Sequence, residues 1–200
     1  MNSEEWDRRY AGSELLWTAR PNRFLVAEVA GLTPGRALDV ACGEGRNAVW
    51  LAEQGWQAEG VDFSGVALGK ARQLAEAREV AVEWTQADLG GYEPERGAYD
   101  LVAVLYLQLP AAERTPILRR AAAALAPGGL LLVVAHDRSN IDHGYGGPQD
   151  PAVLYSAPDV VADVDPEGLE IERAEIVRRP VETPEGERQA LDLLVRATRR

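Results

Sequence analysis

Residues 39–48 read DVACGEGRNA. The apolar run RALDVA (36–41) leads into Gly43-Glu44-Gly45, and Ala48, Leu51 and Ala52 then recur at helical spacing as far as Gly55. Strand, glycine turn and helix in that order predict a βα unit. Residues without a Cβ let the chain turn sharply and bring its backbone close to a ligand at the helix start.

The alternation continues along the chain. WQAEGVDF (56–63) and VAVEWTQAD (80–88) read as the second and third strands, and Ser64 is placed to cap a helix carrying Ala67, Ala71, Leu74 and Ala75 on one face. YDLVAVLYL (99–107) is nearly all apolar, as a strand covered on both faces should be. Ile117, Leu118, Ala121, Ala122 and Leu125 follow at helical spacing, and the PGG at 127–129 is expected to end that helix. LLLVVAH (130–136) is the fifth strand, and the Gly- and Pro-rich stretch over 137–158 reads as a loop at the active site. Within it, Ser156 with Asp159 makes a capping-box start for a short helix. LEIERAEIV (169–177) and RQALDLLVRA (188–197) alternate about the turn TPEG (183–186), so they are expected to pair antiparallel. The fold class is therefore α/β: one domain over 1–200 with a Rossmann-like, doubly wound sheet that binds its ligand at the carboxyl ends of the strands.

Composition excludes several function classes. The 200 residues are 46 % hydrophobic and 26 % charged, with no apolar run near the roughly 18 residues a membrane span needs. The start, MNSEEWDRRY, has neither the basic nor the apolar region of a secretory signal, so a cytoplasmic protein with no membrane partner is expected. A formal net charge of -11 repels a phosphate backbone and argues against nucleic acid as partner. Cys42 is the single cysteine and no ligand spacing offers a metal site; Lys70 is the single lysine and falls in a helical pattern.

With Ala48, the glycine turn satisfies G-x-G-x-x-A, and Asp62 at the end of the second strand stands where a ribose-binding carboxylate is expected. A nicotinamide dinucleotide is thus one reading. Three acids oppose it: Asp39 before the turn, Glu44 within it, and Asp88 at the end of the third strand would all repel a pyrophosphate. A ligand with an ammonium, a sulfonium and a carboxylate suits the place better, its cationic end near acids and its carboxylate near helix amides.

LDVACGEGRNAVWLAEQGWQAEGVDFS, QADL and LAPGGLLLVVAH together resemble the class I S-adenosylmethionine-dependent methyltransferases, and CGEGRN is similar to the wording of the tellurite-resistance, TehB-like branch. The resemblance covers most of the chain. It implies strand order 3-2-1-4-5-7-6 with the last strand antiparallel, and S-adenosyl-L-methionine as cofactor. It also implies that Asp39, Gly43 and Gly45 hold the methionine end, Asp62 the ribose, and Phe63, Asp88 and Leu89 the adenine, with Arg46 and Asn47 belonging to the turn signature. The segment 1–30, with Tyr10 and Trp17, is expected to fold over the cofactor as a helical cover.

On the acceptor side, Tyr106 ends the fourth strand and His136 the fifth, both on the functional rim, where a histidine can take a proton at neutral pH. Tellurite-resistance enzymes place a His-Arg pair and a later Arg in the terminal hairpin; the candidates here are Arg179 and Arg188, with arginine at 178 where the family has histidine. The acceptor is therefore expected to be a small molecule, a thiol or a chalcogen oxyanion among the candidates. An NAD-dependent oxidoreductase and a non-catalytic S-adenosylmethionine-binding protein are the alternatives.

Overall fold

A computed structural model describes residues 3–12, 15 and 18–200, so Trp17 lies outside the described residues. Seven strands form one sheet: β1 (Arg36–Val40), β2 (Gln57–Asp62), β3 (Glu83–Gln86), β4 (Tyr99–Leu105), β5 (Leu125–His136), β6 (Glu170–Thr183) and β7 (Gly186–Thr198). Their order is β3-β2-β1-β4-β5-β7-β6. The first five are parallel, and β7 runs antiparallel between β5 and β6. Order and direction are those the resemblance implies.

The helices are α1 (Ser3–Tyr10), α2 (Arg23–Val29), α3 (Arg46–Glu53), α4 (Gly65–Ala77), α5 (Ala111–Ala123), α6 (Asn140–His143) and α7 (Ala157–Val164). One face of the sheet takes Leu25, Val29, Ala48 and Leu51 from α2 and α3 against Ala37, Leu101, Leu132 and Val134. The other takes Ile117, Leu118, Val160 and Val164 from α5 and α7 against Leu38, Val102, Val133 and Val195. Each such valine, leucine or isoleucine side chain contributes about 1.5–3 kcal/mol by leaving water, which explains why the central strands are apolar on both faces.

Local chemistry sets the element ends. Ser64 caps α4, its Oγ accepting from Ala67 N at 3.0 Å. At the other end of α4, Glu79 turns left-handed (φ 55°) and Val80 N donates to Ala75 O at 3.1 Å. That amide belongs to the helix terminus, so β3 begins at Glu83 rather than at 80. The PGG segment does not stop a helix. Helix α5 has already ended at Ala123, and Leu125 pairs with Tyr99 as the start of β5. Gly129 fits because a Cβ there would lie 2.6 Å from the Tyr99 carbonyl oxygen. The stretch 137–158 contains α6 and a bridge between Asp137 and Tyr155, while Ser156 N donates to Asp159 Oδ2 at 2.8 Å at the start of α7. The terminal hairpin closes at Thr183 and Gly186, so both strands run farther toward the TPEG turn than their alternation suggests.

Candidate functional site

The carboxyl ends of β1 and β2 meet at the glycine turn. Ala41, Gly43 and Gly45 are all left-handed (φ 60°, 54° and 76°), a sequence of conformations that coils the backbone tightly. Asp62 holds this coil: its Oδ2 accepts from Gly43 N at 2.8 Å and its Oδ1 from Ser64 N at 2.9 Å. Burial raises its carboxyl above the ordinary value in spite of those bonds. With the Phe63 backbone also donating, the carboxylate keeps acceptor capacity for a further hydroxyl.

Asp39 is 1 % exposed. Its carboxyl takes a hydrogen bond from the Ala48 backbone, yet Oδ2 has no partner among the described residues. Burial, opposed by the nearby Arg46 charge, pushes the group up to about 7. Such a buried, half-satisfied acid fits a cationic group and rejects a diphosphate. Glu44, within the turn, is paired with the single lysine, Lys70 Nζ, at 3.0 Å. Burial raises the Cys42 thiol well above its usual range, so it stays a packed, unreactive thiol.

The N-terminal segment covers this corner. Tyr10 is buried, with its hydroxyl 3.1 Å from where a Cβ on Gly43 would stand, and Ser64 Oγ donates to Asp7 of α1. Asn47 ties the cover down, its Oδ1 accepting from Asn22 N at 2.8 Å while Asn22 caps α2. Arg46 opens α3 mostly buried, near Asp39, Tyr106 and Arg179; burial lowers its guanidinium. Phe63 and Leu89 are half-buried at the rim, and Asp88 is exposed with Oδ1 accepting from Gly90 N at 2.9 Å.

A second group lies at the ends of β4 and β5. Tyr106 leaves β4 with φ 60°, a conformation an aromatic residue adopts only when its surroundings impose it. Its hydroxyl donates to Asp192 Oδ2 at 2.7 Å, and Arg179 Nε donates to the same oxygen at 2.7 Å. His136 Nδ1 stands 3.2 Å from Asp192 Oδ1. The Tyr106 and His136 rings are 5.0 Å apart, and the Arg179 guanidinium lies 5.6 Å from the Tyr106 ring centre. The structure thus brings Tyr106, His136 and Arg179 together. Arg188 is not drawn in; it is exposed, opposite Val181 toward the hairpin tip.

Sequence reasoning missed the residue that joins them. Asp192 is fully buried in β7, and its one signal is an acid inside the apolar run ALDLLV (190–195). Gln108 was also missed: its Oε1 accepts from His136 N at 2.9 Å and its Nε2 donates to Val153 O at 2.8 Å.

Residues 37–129 match the family described as the methyltransferase domain. Over this segment the chain is similar to a methyltransferase domain. It carries the glycine turn, Asp62 and Tyr106, and S-adenosyl-L-methionine is the cofactor of such domains. Among curated relatives, a ribosomal RNA small subunit methyltransferase C of Chromohalobacter salexigens is 36 % identical over 106 residues, covering 50 % of this chain and 31 % of that protein. A demethylmenaquinone methyltransferase of Thermus thermophilus is 34 % identical over 125 residues, covering 62 % and 55 %. The chain spans between about a third and about half of the length of these relatives. A solved structure described by the conversion of a disulfide bond into a thioacetal group during echinomycin biosynthesis aligns with 98 % of this chain and 92 % of its own (TM-score 0.76, 25 % identity). TehB from Haemophilus influenzae aligns with 99 % of this chain and 67 % of its own (TM-score 0.73), but at 15 % identity the likeness is one of fold. Among the described residues no helix is long and apolar enough to cross a membrane.

Proposed function

We propose that this chain transfers a methyl group from S-adenosyl-L-methionine to a small-molecule acceptor, and that the accepting atom is a thiol sulfur. The observation that carries the first part is Asp39 Oδ2, a buried carboxylate oxygen with no partner among the described residues, beside a glycine turn. Asp39 with the glycine turn would hold the amino-acid end, Asp62 the ribose hydroxyls, and Phe63, Asp88 and Leu89 the adenine. Arg46 has no ion pair among the described residues and would meet the carboxylate at the first turn of α3. Tyr10, with Trp17, would close the cover. When bound, the cofactor supplies an electrophilic methyl group on a positively charged sulfur.

The chain's own part is orientation, exclusion of water and proton handling. His136, Tyr106 and Arg179 would receive the acceptor at the ends of β4 and β5. A sulfur acceptor is favoured by the likeness to the structure described by the conversion of a disulfide bond to a thioacetal. A chalcogen oxyanion is less suited, because Arg179 is already engaged by Asp192 and Arg188 is remote from the group. The net charge of -11 keeps nucleic acid out of the proposal.

The test is calorimetric binding of S-adenosylmethionine, followed by S-adenosylhomocysteine release with small thiols, phenols, selenite, tellurite and an rRNA fragment offered separately. Turnover with thiols is expected. No cofactor binding, or turnover confined to RNA, overturns the reading.

A further inference from the structure

Asp192 is 0 % exposed and lies in a strand whose neighbours are alanine, leucine and valine. A carboxylate so placed needs partners, and it has them on one side only. Oδ2 accepts from Tyr106 and from Arg179, each at 2.7 Å. Oδ1 has no aligned hydrogen bond among the described residues, nor has His136 Nδ1, and both atoms are buried. They face one another at 3.2 Å. Two buried polar atoms at that separation, neither with an aligned partner among the described residues, are one small ring rotation from a hydrogen bond.

The surroundings confine the ring. On one side, the His136 ring is backed by Gly147, where a Cβ would stand 2.9 Å from Nδ1 and 3.0 Å from two ring carbons. Gln108 holds the His136 backbone amide, and Tyr106 packs on the ring. Among the described residues, Asp192 from β7 and Tyr106 after β4 contact the imidazole, and Arg179 from β6 and Arg46 from α3 stand behind them. Of these, Asp192 Oδ1 is the acceptor that stands 3.2 Å from Nδ1, while the guanidinium groups have only donors.

We propose that Asp192 is a positioning residue that fixes His136 with its proton on Nδ1, leaving Nε2 free to take a proton from the methyl acceptor. The inference rests on the methyltransferase reading above and narrows its acceptor class to molecules that enter carrying a removable proton. The proton passes from the acceptor thiol to Nε2, and the electron pair left on the acceptor forms the new bond to the methyl carbon. The bond from that carbon to the sulfonium breaks with its pair remaining on sulfur, and the imidazolium returns its proton to solvent. Tyr106 and Arg179 keep Asp192 ionised and immobile while this happens.

The chain has two histidines, so ¹⁵N-histidine labelling with His143→Gln for assignment reads the His136 tautomer directly. In the neutral form, wild-type His136 is expected to carry its proton on Nδ1. Asp192→Asn sharpens the test. The donors Tyr106 and Arg179 must keep the one remaining oxygen, which turns the amide NH₂ toward His136 and makes Nδ1 an acceptor. The tautomer should invert to Nε2–H, and turnover should fall with cofactor affinity unchanged by calorimetry. A wild-type His136 protonated on Nε2, or an unchanged tautomer in folded Asp192→Asn, overturns the proposal; the wild-type spectrum decides alone where the variant does not fold. Loss of cofactor binding in the wild type would instead refute the methyltransferase reading.

Discussion

The Tyr106 hydroxyl donates to Asp192 Oδ2 at 2.7 Å, linking the end of β4 to a strand 86 residues further along the chain. Burial and the neighbouring Asp192 charge raise the phenol above its usual range, so Tyr106 is a donor and not a base at neutral pH. Tyr106→Phe removes one charge-assisted bond and leaves Arg179 on the carboxylate. A loss of about 1.5–3 kcal/mol in denaturant unfolding is expected. Cofactor affinity should be retained.

Asp39 imposes a pH dependence on the cofactor-free protein. Its folded carboxyl is pushed from 3.8 up to about 7, so between those values the folded protein holds a proton that the unfolded chain has released. Stability therefore falls as pH rises through that window, and Asp62, raised by burial as well, adds to the trend. Asp39→Asn should flatten the dependence and raise the thermal midpoint at pH about 8, where the charged form is most penalised. Thermal denaturation across the window checks both expectations.

Gly45 has two reasons to lack a side chain. Its φ is 76°, and a Cβ would fall 2.5 Å from the Trp84 ring and 2.7 Å from Ala71 Cβ. Gly45→Ala combines a left-handed penalty of about 1–2 kcal/mol with overpacking of about 1–3 kcal/mol. Thermal unfolding should show a destabilisation of that combined order, whereas Gly69→Ala, with open space around it, should be neutral or mildly stabilising.

Helix α1 lies over the glycine turn through Tyr10 and through the contact of Asp7 with Ser64 Oγ. Tyr10→Ala uncovers the turn and should weaken S-adenosylmethionine binding about tenfold, equivalent to about 1.4 kcal/mol. Trypsin cleavage at Arg8 or Arg9 should slow when the cofactor is added to the wild type. Equal cleavage with and without cofactor would show that the cover does not respond to the ligand.

The fold was legible because its signals are local. The apolar run at 99–105, the glycine turn after β1 and the TPEG hairpin each depend on neighbouring residues, and the sheet built from them has the expected order. The errors arose where distant backbone decides. Leu125 fits a helical spacing, but its pairing with Tyr99 claims it for β5; Val80 fits a strand, but its amide finishes α4. The place of the glycine turn and of Asp39 and Asp62 beside it was readable for the same reason of locality, since these residues sit at strand ends. Asp192 was not. Its role exists only because β7 runs antiparallel beside β5 and sets Asp192 opposite His136, a register no local pattern announces.

The central claim is that the acids at the ends of β1 and β2 hold a cationic adenosyl ligand. Titration calorimetry of the wild type and Asp39→Asn with S-adenosylmethionine, at pH about 6 and about 8, tests it most directly. The account predicts binding to the wild type that tightens as Asp39 ionises through about 7, and an affinity about 10- to 100-fold weaker in Asp39→Asn at the higher pH. No heat with the wild type, or equal affinity for the two proteins at both pH values, would contradict it.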